Sequence, residues 1–375
     1  RASGEPSATR PVRLFRGGRA PTARAHTRRR IVVRVGMLRE AGRVVVEEAP
    51  RPALGAGEVL IRVAYAGVCG SDLHAFLGTH PFRVPPVVLG HELSGEVAKV
   101  GEGVSEFAPG DLVTVMPTLG CGACRACLAG RPNICENKVV PGIKGWQGAF
   151  AEYFAAPTAV TYPLGPHTTL VQGVLAEPLA VAAHAVERGG VRPGSDVLVL
   201  GGGTIGLLIG YAAQRTGARS VAITDLYDYN LTVASALGFA HAYNARQEGL
   251  EDAIRRDYAG GVDVVFIAGA APAIVGQATR LARRGGRIVS TALFGGPVPV
   301  DIVAITLYEL ELVGTQIYRD ADFRQALAWL DEDGETIERL VDHVLPLERV
   351  HEAMVMLAER REDAIKVLLQ PGAED

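Results

Sequence analysis

The chain has 375 residues, 48% of them apolar and 21% charged, with a formal net charge of −3. That length leaves room for two packed domains, and the composition excludes a disordered or collagen-like chain. No stretch approaches the ~18–20 consecutive apolar residues that a membrane-spanning helix needs.

The first thirty residues, "RASGEPSATRPVRLFRGGRAPTARAHTRRR", hold nine arginines and one acid and show no apolar periodicity. They read as a disordered, Arg-rich tail outside the fold. An acid-poor transit peptide fits the same letters. Without this tail the body carries about −11, an acidic balance that points to neither a nucleic-acid nor a membrane partner.

From Ile31 the pattern changes to short, valine-rich runs punctuated by Gly and Pro: "IVVRVGML", "RVVVEEAP", "EVLIRVAYAG", "GEVAKVG" and "DLVTVMP". These predict an irregular β domain reaching to about Leu175. The rhythm then becomes strand, helix, strand. "DVLVLGGG" predicts a buried strand and "TIGLLIGYAAQRTGA" the helix after it, with further strands at "SVAIT", "VDVVFIAG", "GRIVSTA" and "LELVGT". Such alternation predicts an α/β domain with a doubly wound parallel sheet. Beyond Tyr318 come helical patterns at "DFRQALAWL" and "VHEAMVMLAER", then a last strand, "AIKVLLQ".

Gly201, Gly203 and Gly206 form G-x-G-x-x-G with Thr204 and Ile205 between the last two, directly after a strand and opening a helix. The first glycine makes the turn, the second lets backbone approach a pyrophosphate, and the third packs helix on strand. The free N–H groups of the helix start suit phosphate. Asp225, ending the next strand, suits the ribose hydroxyls and repels a 2′-phosphate. "DLYDYN" offers no arginine to bind one, so NAD is expected rather than NADP.

Four of the five cysteines, Cys121, Cys124, Cys127 and Cys135, fall within fifteen residues. Four thiolates on one short, polar loop can close a tetrahedron around a structural zinc with no open position. An iron–sulfur cluster is the rival occupant. This spacing argues against a secreted disulfide framework, and a cytoplasmic protein is expected. Cys69 stands apart in "GVCGSDLH" with Ser71, Asp72 and His74; "GHELSGE" adds His91 and Glu92, and "LAEPLAVAAH" adds Glu177. Together they suggest a Cys/His/carboxylate metal site with an open fourth position.

In this order, "GVCGSDLH", "GHELSGEV", the four-cysteine loop, "EPLAVAAHAVERGGVRPGSDVLVLGGGTIG" and the Asp225 strand resemble a zinc-dependent medium-chain dehydrogenase/reductase of the sorbitol, butanediol and threonine dehydrogenase branch. The resemblance covers about residues 31 to 370. It implies a GroES-like catalytic domain at 31–180, a Rossmann NAD-binding domain at 181–318 and a return to the first domain at 319–375. Cys69 and His91 match the two constant ligands of the catalytic zinc, and Asp72 the acid that orients the ligand histidine. Ser71 matches the hydroxyl that touches the substrate oxygen, and His74 the outer end of a proton relay. With the other thiols committed, the third ligand is expected to be a glutamate, Glu177 or Glu92, and the letters do not rank them. The resemblance implies reversible oxidation of a secondary alcohol, a polyol or vicinal diol, to the ketone, with hydride passing to NAD. It also implies a homodimer or homotetramer. An amino-alcohol activity like that of threonine 3-dehydrogenase is the main rival. A non-catalytic cofactor-binding protein of the same fold would be expected to lack the zinc residues that this chain retains.

Overall fold

The structure, a computed structural model, describes residues 32–360 and 363–372. The Arg-rich tail lies outside the described residues. Three sheets form among them. Val32–Glu40 pairs antiparallel with Arg43–Pro50 and with the short Val87–Val88. The largest sheet runs in the order Val341–Pro346, Lys366–Gln370, Glu58–Gly67, Glu92–Val100, Leu112–Val115, Thr161–Pro163, with Tyr153–Pro157 also paired to Glu58–Gly67. Residues such as Ile61, Val97, Val113, Phe150, Phe154 and Val367 fill the core of this β-rich half.

The third sheet is wholly parallel: His241–Asn244, Ser220–Asp225, Asp196–Leu200, Val262–Ile267, Ala282–Ser290 and Glu311–Gly314. Numbered along the chain, these strands lie in the order 3-2-1-4-5-6, that of a dinucleotide-binding domain. Asp196–Leu200 is buried at every position, as a central strand with helices on both faces requires. The helices Ala176–Gly189 and Thr204–Arg215 cover one face, packing Leu179, Ala182, Leu208 and Ala212 against Val197, Val199 and Phe266. Ile254, Val275 and Leu281 pack on the other.

Helix Ala176–Gly189 runs unbroken through position 180, where a domain division was expected. Its first turn carries Glu177, while its remaining turns pack on the parallel sheet. The chain after Asp320 serves both halves. Helix Asp320–Glu338 packs Phe323, Ala326 and Leu330 into the core of the parallel-sheet half. Strands Val341–Pro346 and Lys366–Gln370 join the β-rich sheet, the latter antiparallel to Glu58–Gly67. No helix among the described residues is long and apolar enough to cross a membrane.

Candidate active site

Cys69 precedes the short helix Gly70–Phe76, and its N–H donates to Asp72 Oδ2 at 3.1 Å, fixing the first turn. His91 and Glu92 lie where the chain enters strand Glu92–Val100, both buried. Ligand atoms of Cys69, His91 and Glu92 lie within 4.8 Å of one another. A thiol, an imidazole and a carboxylate so placed are a donor set for zinc with room for one further ligand.

Asp72 is fully buried, with Oδ1 3.5 Å from His91 Nδ1 and accepting from the Gly90 N–H at 3.3 Å. Burial alone would push this carboxyl up. The His91 ring and the Arg83 guanidinium outweigh it and hold the pKa down at about 2. For His91, burial disfavours the charged ring, but Asp72 more than offsets it and the pKa rises well above the ordinary value.

Arg83 was not singled out from the sequence, yet its guanidinium reaches three of the expected site residues. It donates to Ser71 Oγ at 2.9 Å and Asp72 Oδ1 at 3.3 Å, and its Nη2 lies 3.4 Å from His91 Nδ1. The side chain is only 5% exposed, and its Nε has no hydrogen-bond partner among the described residues. His74 stands on the outer side of the helix, partly exposed, with Nδ1 3.2 Å from Thr79 Oγ1.

The two glutamates differ. Glu92 clusters with Cys69 and His91 and forms a short ion pair with Lys366 Nζ, each residue 1% exposed. A carboxylate has two oxygens, so it can serve an ammonium and a metal together. Glu177 lies outside that tight cluster and accepts from the Tyr318 hydroxyl at 3.0 Å. Burial raises its pKa, and the charge of His91 pulls the other way. Lys366 had a signal in the sequence: a lysine inside the apolar strand "AIKVLLQ" requires a buried acid. Tyr318 had none.

The cofactor loop is built as its glycines demand. A Cβ on Gly206 would stand 1.8 Å from the Gly201 carbonyl oxygen, and Gly201 adopts φ 110°. Open space lies beside Gly203, at the start of helix Thr204–Arg215. This loop leaves exposed backbone at a helix N-terminus, where a pyrophosphate fits. Asp225 accepts from the N–H groups of Gly202 at 2.7 Å and Tyr227 at 2.8 Å. Ile205 packs partly into the core, and the Thr204 hydroxyl donates to the Ile365 carbonyl at 2.6 Å, leaving only its backbone to face a phosphate. That bond matters because the next residue is Lys366. Two consecutive residues thus tie the glycine loop to the Cys69–His91–Glu92 cluster.

The four remaining cysteines converge, their sulfurs within 4.8 Å of one another, and all are free thiols. The backbone N–H groups of Ala123 and Cys124, with Cys135, hold the Cys121 thiol down at about 6, whereas burial pushes Cys127 up to about 12. Four thiols with N–H donors aimed at them suit a closed tetrahedral zinc site.

Residues 55–166 match the family model described as alcohol dehydrogenase GroES-like domain, and residues 204–332 match that of zinc-binding dehydrogenase. The chain is 35% identical over 323 residues to a 2-dehydro-3-deoxy-L-galactonate 5-dehydrogenase of Pseudoalteromonas atlantica, covering 85% of this chain and 93% of that one. It is 31% identical to a sorbitol dehydrogenase of Bacillus subtilis, covering 91% and 98%. The crystal structure of 2R,3R-butanediol dehydrogenase from Bacillus subtilis superposes with a TM-score of 0.83 at 27% identity, covering 91% of this chain and all of that one.

Proposed function

The chain belongs to the zinc-dependent medium-chain alcohol dehydrogenase family, and from that premise we propose that it interconverts a secondary alcohol, of the polyol or vicinal-diol class, and its ketone with NAD. The observation that carries this reading is the linkage at residues 365 and 366. Thr204 of the glycine loop grips Ile365, and Lys366 grips Glu92 of the metal cluster, so the cofactor and metal halves meet through one peptide.

Cys69, His91 and Glu92 would hold the catalytic zinc, with Glu177 beside it acting through water, and the four-cysteine loop a second, structural zinc. When bound, zinc supplies Lewis acidity to a substrate oxygen and NAD the hydride acceptor. Asp72 fixes the His91 ring for ligation. Arg83, donating to Ser71 Oγ, leaves the Ser71 hydroxyl hydrogen free to point away from it, so that oxygen can take up the substrate proton while passing on its own. His74, partly exposed on the same helix, would be the outward group from which the proton leaves to solvent.

The chain is also proposed to form a homodimer. Strand Glu311–Gly314 closes one side of the parallel sheet with an edge unpaired among the described residues, and Leu293, Ile302, Val303 and Leu307, in the segment that leads to it, stand exposed. An unpaired edge beside apolar side chains fits a second copy of the same surface.

Turnover of NAD by the purified chain over a panel of polyols, vicinal diols, primary alcohols and L-threonine tests the reading. Polyols or diols should be the best substrates. Preference for L-threonine, or no turnover with any alcohol in the presence of zinc, would overturn it.

A further inference from the structure

We propose that a polar cleft between the four-cysteine loop and the cofactor-binding half is a binding site for a phosphate group. The cleft, of about 210 Å³, is lined by Arg131, His184, Glu187, Arg188, Arg287 and Arg319. The four arginines come from separate parts of the chain: the cysteine loop, the last turn of helix Ala176–Gly189, strand Ala282–Ser290 and the start of helix Asp320–Glu338. Helices and sheet therefore aim four guanidiniums at one volume.

The counter-charges do not balance them. Arg319 pairs with Glu187 at 2.6 Å and Asp322 at 3.3 Å, and Arg287 pairs with Glu311. The Arg188 side chain has only a carbonyl, that of Gly314 at 3.3 Å, and the Arg131 side chain, exposed, has no hydrogen bond or ion pair among the described residues. Three acids thus face four guanidiniums, and two of the four meet no acid. His184 is a further group in the cleft, and it faces two of the same acids. It is 3% exposed, with Nδ1 2.9 Å from Asp322 Oδ2 and 3.7 Å from Glu187 Oε2, so these two acids are shared between the ring and Arg319.

His184, Glu187 and Asp322 lie close enough to hold a cation. Arg319 occupies both carboxylates, however, and the excess positive charge of the cleft repels one. Between anions, the geometry favours phosphate. One or two guanidinium forks saturate a planar carboxylate, whereas a tetrahedral dianion presents oxygens in several directions and can engage forks that converge from different elements. The site requires neither the metal cluster nor the glycine loop, so it stands apart from the dehydrogenase reading.

The test is isothermal titration of the full chain with inorganic phosphate and with glycerol 3-phosphate. Ionic strength is held constant with chloride, and NADH is present to occupy the glycine loop. Wild type should bind saturably. Arg131→Ala, whose side chain is exposed and leaves the fold intact, should weaken binding several-fold, and Arg131→Ala with Arg188→Ala at least tenfold. Glu187→Ala, which removes one of the two acids that hold Arg319, should tighten it. Equal affinity for the two ligands would identify free phosphate as sufficient, and tighter binding of the ester a phosphorylated metabolite. Absence of saturable binding, or the same affinity in wild type and all variants, would overturn the proposal.

Discussion

Asp225 ends its strand with both carboxylate oxygens held by backbone N–H groups, a fixed negative charge where a 2′-phosphate would lie. The letters around it contain no arginine, but the fold brings two. Arg246 and Arg360 sit over the Tyr227 ring at 5.4 Å and 4.6 Å. Removing the carboxylate alone should therefore suffice to admit NADP. Asp225→Ala is expected to raise the ratio of kcat/KM for NADP over NAD by about tenfold or more, equivalent to roughly 1.4 kcal/mol. An unchanged ratio would show that Asp225 does not select the cofactor. Arg83 makes a second case. Arg83→Met would leave Asp72 buried without one of its two compensating charges, at a cost of about 3 kcal/mol in unfolding free energy. It would also release Ser71, so turnover should fall by about 10²-fold while NADH affinity holds. Arg83→Lys should recover part of the stability and little of the rate, because Nη1 reaches both Ser71 and Asp72 from one bond beyond where a lysine ends. Wild-type stability and rate in the methionine variant, read by urea unfolding and steady-state kinetics, would remove Arg83 from the site. The cysteines and glycines were legible because their chemistry leaves a spacing in the chain. Arg83, Tyr318 and Lys366 reach the site from afar or as single letters, and only tertiary structure gives them partners.

The cysteine loop buries little of itself, its one helix, Arg125–Leu128, being barely a turn with no buried residue. Its tie to the cofactor half includes the Asn133 side-chain amide donating to the Gln316 carbonyl at 2.8 Å. A metal is what orders such a segment. Cys124→Ser should lower Tm and expose the loop to protease, with loss of one zinc. A carboxylate is a harder ligand than a thiolate, so graded chelation of wild type should remove zinc from the cluster of Cys69, His91 and Glu92 first. Turnover should vanish before Tm falls and return with added zinc. Simultaneous loss of both would contradict the assignment of unlike sites. The strands that sequence periodicity missed are revealing at this scale. His241–Asn244 and Val341–Pro346 are the outermost strands of their sheets, and neither "HAYN" nor "VDHVLP" carries the valine-rich signature of a strand buried on both faces. The edge strands that were legible, Arg43–Pro50 and Glu311–Gly314, carry the apolar runs "RVVV" and "LELV" that these two lack. Helix Ala176–Gly189 buries every residue but Val181, Glu187 and Arg188, so even its polar residues Glu177 and His184 lie inside and little of it reads as a surface helix.

The two halves of the molecule are bound by the last strand, where Asp342 accepts from the N–H groups of both Ile365 and Lys366 while their other groups reach Thr204 and Glu92. That return of the chain was legible as a stray terminal strand, but its partners were not, since pairing over such sequence distance has no local pattern. At the free edge of the parallel sheet, Val303→Glu with Leu307→Glu should convert a dimer to a monomer in sedimentation velocity without changing the far-UV spectrum. A wild-type monomer at micromolar concentration would contradict the proposed interface. The central claim is that the Cys69, His91 and Glu92 cluster is a zinc site on which alcohol oxidation depends, separate from the four-cysteine site. It is tested most directly by measuring zinc per chain and polyol-dependent NADH formation on the same preparations of wild type and Cys69→Ser. Wild type should carry about two zincs, one for each site, and turn over. Cys69→Ser should be folded, bind NADH, retain about one zinc and lose turnover. Full activity in Cys69→Ser, or in wild type holding a single zinc, would contradict the account.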